Sequence, residues 1–233
     1  TAEEIVDLAT RRGAAAIVSS YNEPLITAEW AMEVFRLGRS LGLRTGMVSN
    51  GNATPEVLDH IRPWTDAFKV DLKAIDERPY RSLGGTLQRV LESIRLAFER
   101  GFWVEIVTLL VPGFNDRDDA VQRMADAIAG VSPAIPWHVT AFHQDYRMTE
   151  SRNTTAEDLV QACETGRAAG LQFVYAGNLP GRVGRWEHTW CPDCGELLVE
   201  RFGYSILRQR VGASGDCPAC GTPIPGIWVK EES

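Results

Sequence analysis

Along the first 180 residues the chain alternates between two textures. One has the 3.6-residue rhythm of an amphipathic helix, opened by Thr and closed by Gly; the other is a short, apolar, β-branched run. Thr1-Ala2-Glu3-Glu4 is a capping box, in which hydroxyl and carboxylate satisfy each other's free backbone N–H groups, and its helix should stop at Gly13. Residues 14–20 (AAAIVSS) read as a buried strand. A helix follows over 27–41, then a strand over 44–49, and Thr54-Pro55 starts a short helix with Pro at its first position. Further strands are expected over 66–72, 102–111, 137–142 and 171–176, with helices over 86–100, 117–129 and 155–169. Six strands separated by helices predict repeated βα units and a parallel sheet whose strand C-termini share one edge. Six is too few for a closed eight-stranded barrel, so the expected fold is α/β, an open or partial (β/α) barrel.

Past residue 180 the helical rhythm stops. Residues 181–185 (GRVGR) read as a linker, and two Cys-Pro-x-Cys-Gly knuckles follow, joined by strand-like sequence over 196–211. The expected organisation is therefore an α/β domain over 1–180 and a small ribbon-like module over 181–233. Within the knuckles, 22 residues separate the pair Cys191 and Cys194 from the pair Cys217 and Cys220. Two Cys three apart can place both thiolates on one metal, and the following Gly permits the tight turn around the sulfurs. Four thiolates make a closed tetrahedral site for Zn²⁺ or a single Fe, with no open position for chemistry and hence a structural role. Cys163 stands alone in a helical pattern and belongs to no such group.

Composition narrows the function. The chain is 233 residues long, 44% hydrophobic and 24% charged, which is ordinary globular content and excludes a disordered chain. Its net charge of −7 argues against a nucleic-acid or anionic-membrane binder acting through bulk charge. The ribbon segment 186–233, with four basic against seven acidic residues, is no better suited to nucleic acid. No uncharged apolar run approaches the ~20 residues of a membrane helix, and the first residues lack a signal-peptide core. Cysteines confined to metal-ligand spacing, rather than spread over a disulfide scaffold, point to a reducing cytoplasm.

Polar residues stand where five strands hand over to their loops: Tyr21-Asn22-Glu23-Pro24, Ser49-Asn50-Gly51, Asp71-Leu72-Lys73, Val111-Pro112-Gly113 with Asn115-Asp116, and His143. Singly each has a plain reading: a turn, a strand ion pair, a solvated histidine. His138, near the start of the fifth strand, reads as a packed strand residue. Together on one sheet edge they suit a polar, zwitterionic small molecule. Glu23, Asp71, Lys73 and His143 are expected to converge on one pocket.

The order YNEP, SNG, VDLK, VPGFND, WHVTAFH resembles the radical S-adenosylmethionine (SAM) superfamily, near the activating enzymes of glycyl-radical proteins. The tail VYAGNLPG followed by CPDCG, CPACG and IPGIW is similar to the radical SAM enzyme of the AmmeMemoRadiSam system. The resemblance implies a [4Fe–4S] cluster that reductively cleaves SAM to a 5′-deoxyadenosyl radical, which abstracts hydrogen from a substrate, a protein among the candidates. It also implies an electron donor. By position, Glu23 would receive the methionine ammonium of SAM, with Ser49 and Asn50 lining the same end. Asp71, Lys73 and His143 would contact the carboxylate and ribose, and the backbone at Val111 to Gly113 would pass the adenine. The sequence departs from the family in lacking its cluster motif, C-x-x-x-C-x-x-C. Since the chain opens with a helix and no Met, the first strand and cluster loop are expected to precede Thr1 in the parent protein. Two other classes compete: a Schiff-base lyase or aldolase with Lys73 as amine nucleophile, and a non-catalytic adaptor whose ribbon docks a protein.

Overall fold

The Thr1 hydroxyl accepts the Glu4 N–H and the Glu4 carboxylate bonds back to the Thr1 backbone, so the capping box forms and opens α1 (Ala2–Arg11). The computed structural model describes residues 1–228, so the last five residues of the expected ribbon lie outside the described residues. The chain divides into two compact units, one of residues 1–72 and 76–106, the other of 73–75 and 107 onward.

The first unit runs α1, β1 (Ala16–Ser19), a 3₁₀ turn (Pro24–Thr27), α2 (Ala28–Ser40), β2 (Arg44–Ser49), α3 (Pro55–Ile61) and β3 (Ala67–Asp71). It continues through α4 (Glu77–Ser82) and α5 (Leu87–Glu99) into the start of β4 (Trp103–Leu110). The short α4 was not expected: with Pro79 inside it and only Tyr80 buried, it has no apolar rhythm to detect. The second unit contains the rest of β4, then α6 (Asp118–Val131), β5 (Trp137–Ala141), α7 (Ala156–Ala168) and β6 (Val174–Gly177). It ends in β7 (Thr189–Trp190), β8 (Leu197–Phe202) and β9 (Ser205–Gln209). Strands β1 to β6 form a parallel six-stranded sheet in sequence order, and β7 to β9 a separate antiparallel sheet. The expected α/β class with parallel strands and a small β module is what forms.

One strand departs from expectation. The run 14–20 reads as buried, yet β1 alternates exposed and half-buried residues with none buried, and Val18 is 52% accessible. The reason is its place: among the described residues β1 ends the strand order and pairs only with β2, so its apolar residues are not enclosed. Ile17 and Ser19 are half-buried, Ile17 against Gly38 of α2, where an added Cβ would come within 3.2 Å of it. Inside the first unit Phe35, Met47 and Phe68 are fully buried, each worth ~1.5–3 kcal/mol relative to exposure. Asp66 ties the strand starts together, accepting from Arg39 at 2.5 Å and from the Thr45 N–H at 3.0 Å.

In the second unit Trp137 of β5 is wholly buried, and its Nε1 donates to Thr108 Oγ1 at 3.0 Å, so no indole donor is stranded. Gly166 of α7 lies so close that a Cβ there would sit 2.9 Å from the Trp137 ring. Phe173, just before β6, packs in one cluster with Cys191, Leu198, Val199, Val211, Cys217 and Ile224. In the segment read as a linker, 181–185, Val183 is buried and the other four residues are exposed; Glu187 just beyond it accepts the N–H groups of Gly181 (2.8 Å) and Gly203 (2.5 Å). His138 stacks on Tyr175 at 5.0 Å, as befits a packed strand residue.

Candidate functional site

At the C-terminal edge of β1 and β2 one carboxylate collects the loop. Glu23 caps the 3₁₀ turn that Pro24 begins, and its Oε1 accepts the Leu25 N–H at 3.2 Å. The same oxygen accepts from Ser49 Oγ at 2.8 Å, and Oε2 accepts the Asn50 N–H at 2.7 Å. Ser49 ends β2 and is buried, while Asn50 is exposed. The turn reading of YNEP holds, and the same side chain that caps the turn also gathers the end of β2. A carboxylate oxygen accepts about two hydrogen bonds, so Oε2 keeps one direction open, which suits an ammonium group. Gly51 makes the turn feasible. Its φ is 76°, and a Cβ would lie 2.6 Å from Val70 Cγ1 and 3.1 Å from Val90 Cγ1. Asp71 ends β3, two strands from β1 in the same parallel register.

The other expected residues lie in the second unit. Val111 is buried directly after β4, and its N–H donates to Asn115 Oδ1 at 2.7 Å. Asn115 Nδ2 donates to the carbonyls of Lys73 and Leu109, each at 2.8 Å, so this one buried amide holds the Lys73 loop and the β4 exit together. Gly113, at φ 80°, donates its N–H to Asp116 at 2.8 Å. His143 follows β5 and is exposed. Sequence reasoning named Asn115 without a role and missed Thr154. The buried Thr154 hydroxyl donates to the Leu110 carbonyl at 2.5 Å and accepts the Phe142 N–H at 3.1 Å. A lone Thr in a loop gives no sequence signal for such a bridge.

The four ribbon cysteines form the second candidate. Their sulfurs all lie within 4.8 Å of one another, with Cys191 to Cys220 at 3.6 Å and Cys194 to Cys217 at 3.7 Å. A tetrahedron with metal–sulfur bonds of ~2.3 Å has edges of ~3.8 Å, whereas a disulfide needs ~2.05 Å. The spacing fits a metal and no disulfide. Each knuckle repeats the same turn: Gly195 N–H to the Cys191 carbonyl (3.1 Å) and Gly221 N–H to the Cys217 carbonyl (2.9 Å), both glycines at positive φ. Although the Glu196 backbone favours the Cys194 thiolate, its sulfur neighbours push the thiol up to about 12. Cys163 lies apart in α7, fully buried, and desolvation raises its thiol far above the ordinary range.

The five cysteines of this sequence thus comprise one group of four and one buried thiol, and no C-x-x-x-C-x-x-C run occurs. The residues of this chain do not supply the three-cysteine cradle of a [4Fe–4S] cluster. Among the described residues no helix is long and apolar enough to cross a membrane.

Comparison with known proteins bears on the whole chain. An uncharacterized protein of Methanocaldococcus jannaschii is 34% identical over 227 residues, 96% of this chain and 67% of that protein. The pyruvate formate-lyase 1-activating enzyme of Escherichia coli is 25% identical over 142 residues, and the chain spans only 58% of its length. Among solved structures, a radical SAM methyltransferase from Sphaerobacter thermophilus shares the fold with a TM-score of 0.64 at 19% identity, over 84% of this chain and 61% of that one. A sequence model of the Radical SAM superfamily matches residues 1–126, the stretch that holds Glu23, Ser49, Asn50 and Asp71. With that match over more than half its length, this chain belongs to the Radical SAM superfamily, a family of enzymes whose members imply SAM and a [4Fe–4S] cluster.

Proposed function

We propose that this chain is the SAM-binding part of a cytoplasmic radical SAM enzyme of the AmmeMemoRadiSam type, one that makes a 5′-deoxyadenosyl radical and abstracts hydrogen from a substrate. The observation that carries the reading is the Glu23 carboxylate, oriented by Ser49, Asn50 and Leu25 with one acceptor direction left open. In this reading Glu23 holds the methionine ammonium of SAM, and Asp71, Lys73 and His143 take its carboxylate and ribose. The adenine runs along the backbone of Val111 to Gly113. An electron donor and a substrate, a protein among the candidates, complete the system. The cluster ligands come from outside residues 1–233. The four-cysteine group holds Zn²⁺ or Fe in a structural role, consistent with its closed donor set.

The test joins a segment bearing C-x-x-x-C-x-x-C ahead of Thr1 and measures SAM binding and 5′-deoxyadenosine formation with dithionite. 5′-Deoxyadenosine should form in that protein and not in the chain alone. Glu23→Ala should weaken SAM binding roughly tenfold or more, the worth of a charge-assisted hydrogen bond, while His60→Ala on α3 should not. Equal SAM affinity in the Glu23 and His60 variants would overturn the reading.

A further inference from the structure

The second unit holds a concave site that the SAM reading does not use. A cleft of about 350 Å³ is lined by the end of α7, the start of β6, the turn before β7 and the first cysteine knuckle. Its cationic side chains are Arg167 and Arg185, and the only carboxylate among its lining residues is Asp193, whose Oδ2 already accepts from Thr222 at 2.7 Å. Neither arginine has a carboxylate within ion-pair distance among the described residues. Arg167 Nη1 donates only to the carbonyls of Leu171 (3.1 Å) and Gln172 (2.7 Å). The guanidinium of Arg185 lies over two indoles, 5.8 Å from the Trp186 ring centre and 5.3 Å from that of Trp190. Backbone geometry fixes this stack, because Trp190 Nε1 donates to the Arg185 carbonyl at 2.9 Å. His188 also lines the cleft, and its Nδ1 accepts the Arg201 N–H at 3.2 Å, which leaves the ring proton on Nε2 as a further donor.

In a chain of net charge −7, a hollow lined by two guanidiniums against one carboxylate is locally positive and suits an anion. Its half-buried Trp walls add a requirement that bare phosphate does not meet, a flat apolar body. We propose that this cleft binds a small planar aromatic molecule bearing an anionic group, the chemistry of a nucleoside monophosphate. Arg167 and Arg185 take the anion, His188 Nε2–H adds a hydrogen bond, and the ring lies against Trp186 and Trp190. One wall is the turn from Cys191 to Gly195, so the four-cysteine group also shapes the cleft.

The test titrates the metal-loaded full chain with uridine 5′-monophosphate, followed by tryptophan fluorescence and by the indole N–H signals in NMR. Uridine replaces adenosine so that an adenine site for SAM does not contribute. Saturable binding is expected, with uridine and inorganic phosphate each at least about tenfold weaker, since each lacks one of the two recognition elements. Arg185→Gln and Arg167→Gln should each weaken binding by about the same factor while metal content stays at the wild-type value. Trp186→Ala should reduce the preference for the nucleotide over phosphate. The proposal is overturned if the nucleotide shows no saturation, if phosphate binds as tightly as the nucleotide, or if both arginine variants bind like wild type with their metal in place.

Discussion

The Glu23 loop and the four-cysteine group are both built from short motifs, yet they are held in opposite ways. Glu23, in the loop after β1, takes partners from the end of β2, Ser49 and Asn50 lying 26 and 27 residues further along the chain. Its geometry therefore depends on the parallel register of β1 with β2. Each knuckle makes its own turn within five residues and needs tertiary structure only to bring the two turns together. The first site is a product of the sheet. The second is itself a fold-holding element, since Cys191 and Cys217 lie in the same cluster as Phe173, Leu198 and Val199. Loss of Glu23 should thus cost binding, and loss of a cysteine should cost structure.

The largest expected effect tests the second half of that contrast. Cys217→Ser should abolish the bound metal and loosen the cluster that Phe173 shares with the ribbon, because small metal modules draw their folding energy from the metal. Elemental analysis should give one Zn or Fe per wild-type chain and none in the variant, with hydrogen exchange rising at Phe173 as well as in β8. Cys163→Ser should leave the metal content unchanged. A variant that loses metal yet keeps its protection at Phe173 would show that the ribbon folds independently of β6.

Next in size is Gly51→Ala. The new Cβ would lie 2.6 Å from Val70 Cγ1 on a backbone at φ 76°, and overpacking plus left-handed strain should cost roughly 2–4 kcal/mol. Chemical denaturation measures the loss, and SAM binding should fall with it, since Asn50 is adjacent. Glu23→Gln sharpens the contrast in the other direction. It should reduce SAM affinity while lowering stability in chemical denaturation by only ~1 kcal/mol, because one half-buried, locally bonded side chain is involved.

The smallest effect is electrostatic. Arg152 pairs with Asp158 at 2.6 Å, and this hydrogen-bonded partner pulls the Asp158 carboxyl from 3.8 down to about 2. A carboxylate depressed in the folded state contributes stability above its unfolded pKa and loses it as pH falls from about 4 towards 2. Arg152 is more than half exposed, so solvent screens the pair and the contribution is small. Arg152→Ala should slightly flatten the acid limb of the stability curve, measured by denaturation at a series of pH values.

Much of this was legible in the chain itself. Caps at Thr1, Thr54 and Thr155 form as their spacing implies, although Thr27 and Thr86 precede helices without a side-chain bond. Strand β2 covers the residues expected of it, 44–49, and the two knuckles bring all four sulfurs together. These features depend on neighbours a few residues away, where backbone sterics and local hydrogen bonds decide the outcome. Position in the sheet is different. Composition does not say that the apolar run at β1 ends the strand order with Val18 in solvent, while Val139 of β5 is wholly buried. Nor could it show Asn115 and Thr154 joining segments tens of residues apart, or Arg185 laid over two indoles beside a cysteine turn. Local sequence determined the elements, the caps and the metal-ligand spacing, because their interactions close within a turn. Burial, the carboxylate's partners and the aromatic cleft were decided by tertiary structure, because only there do distant segments lose their water to one another.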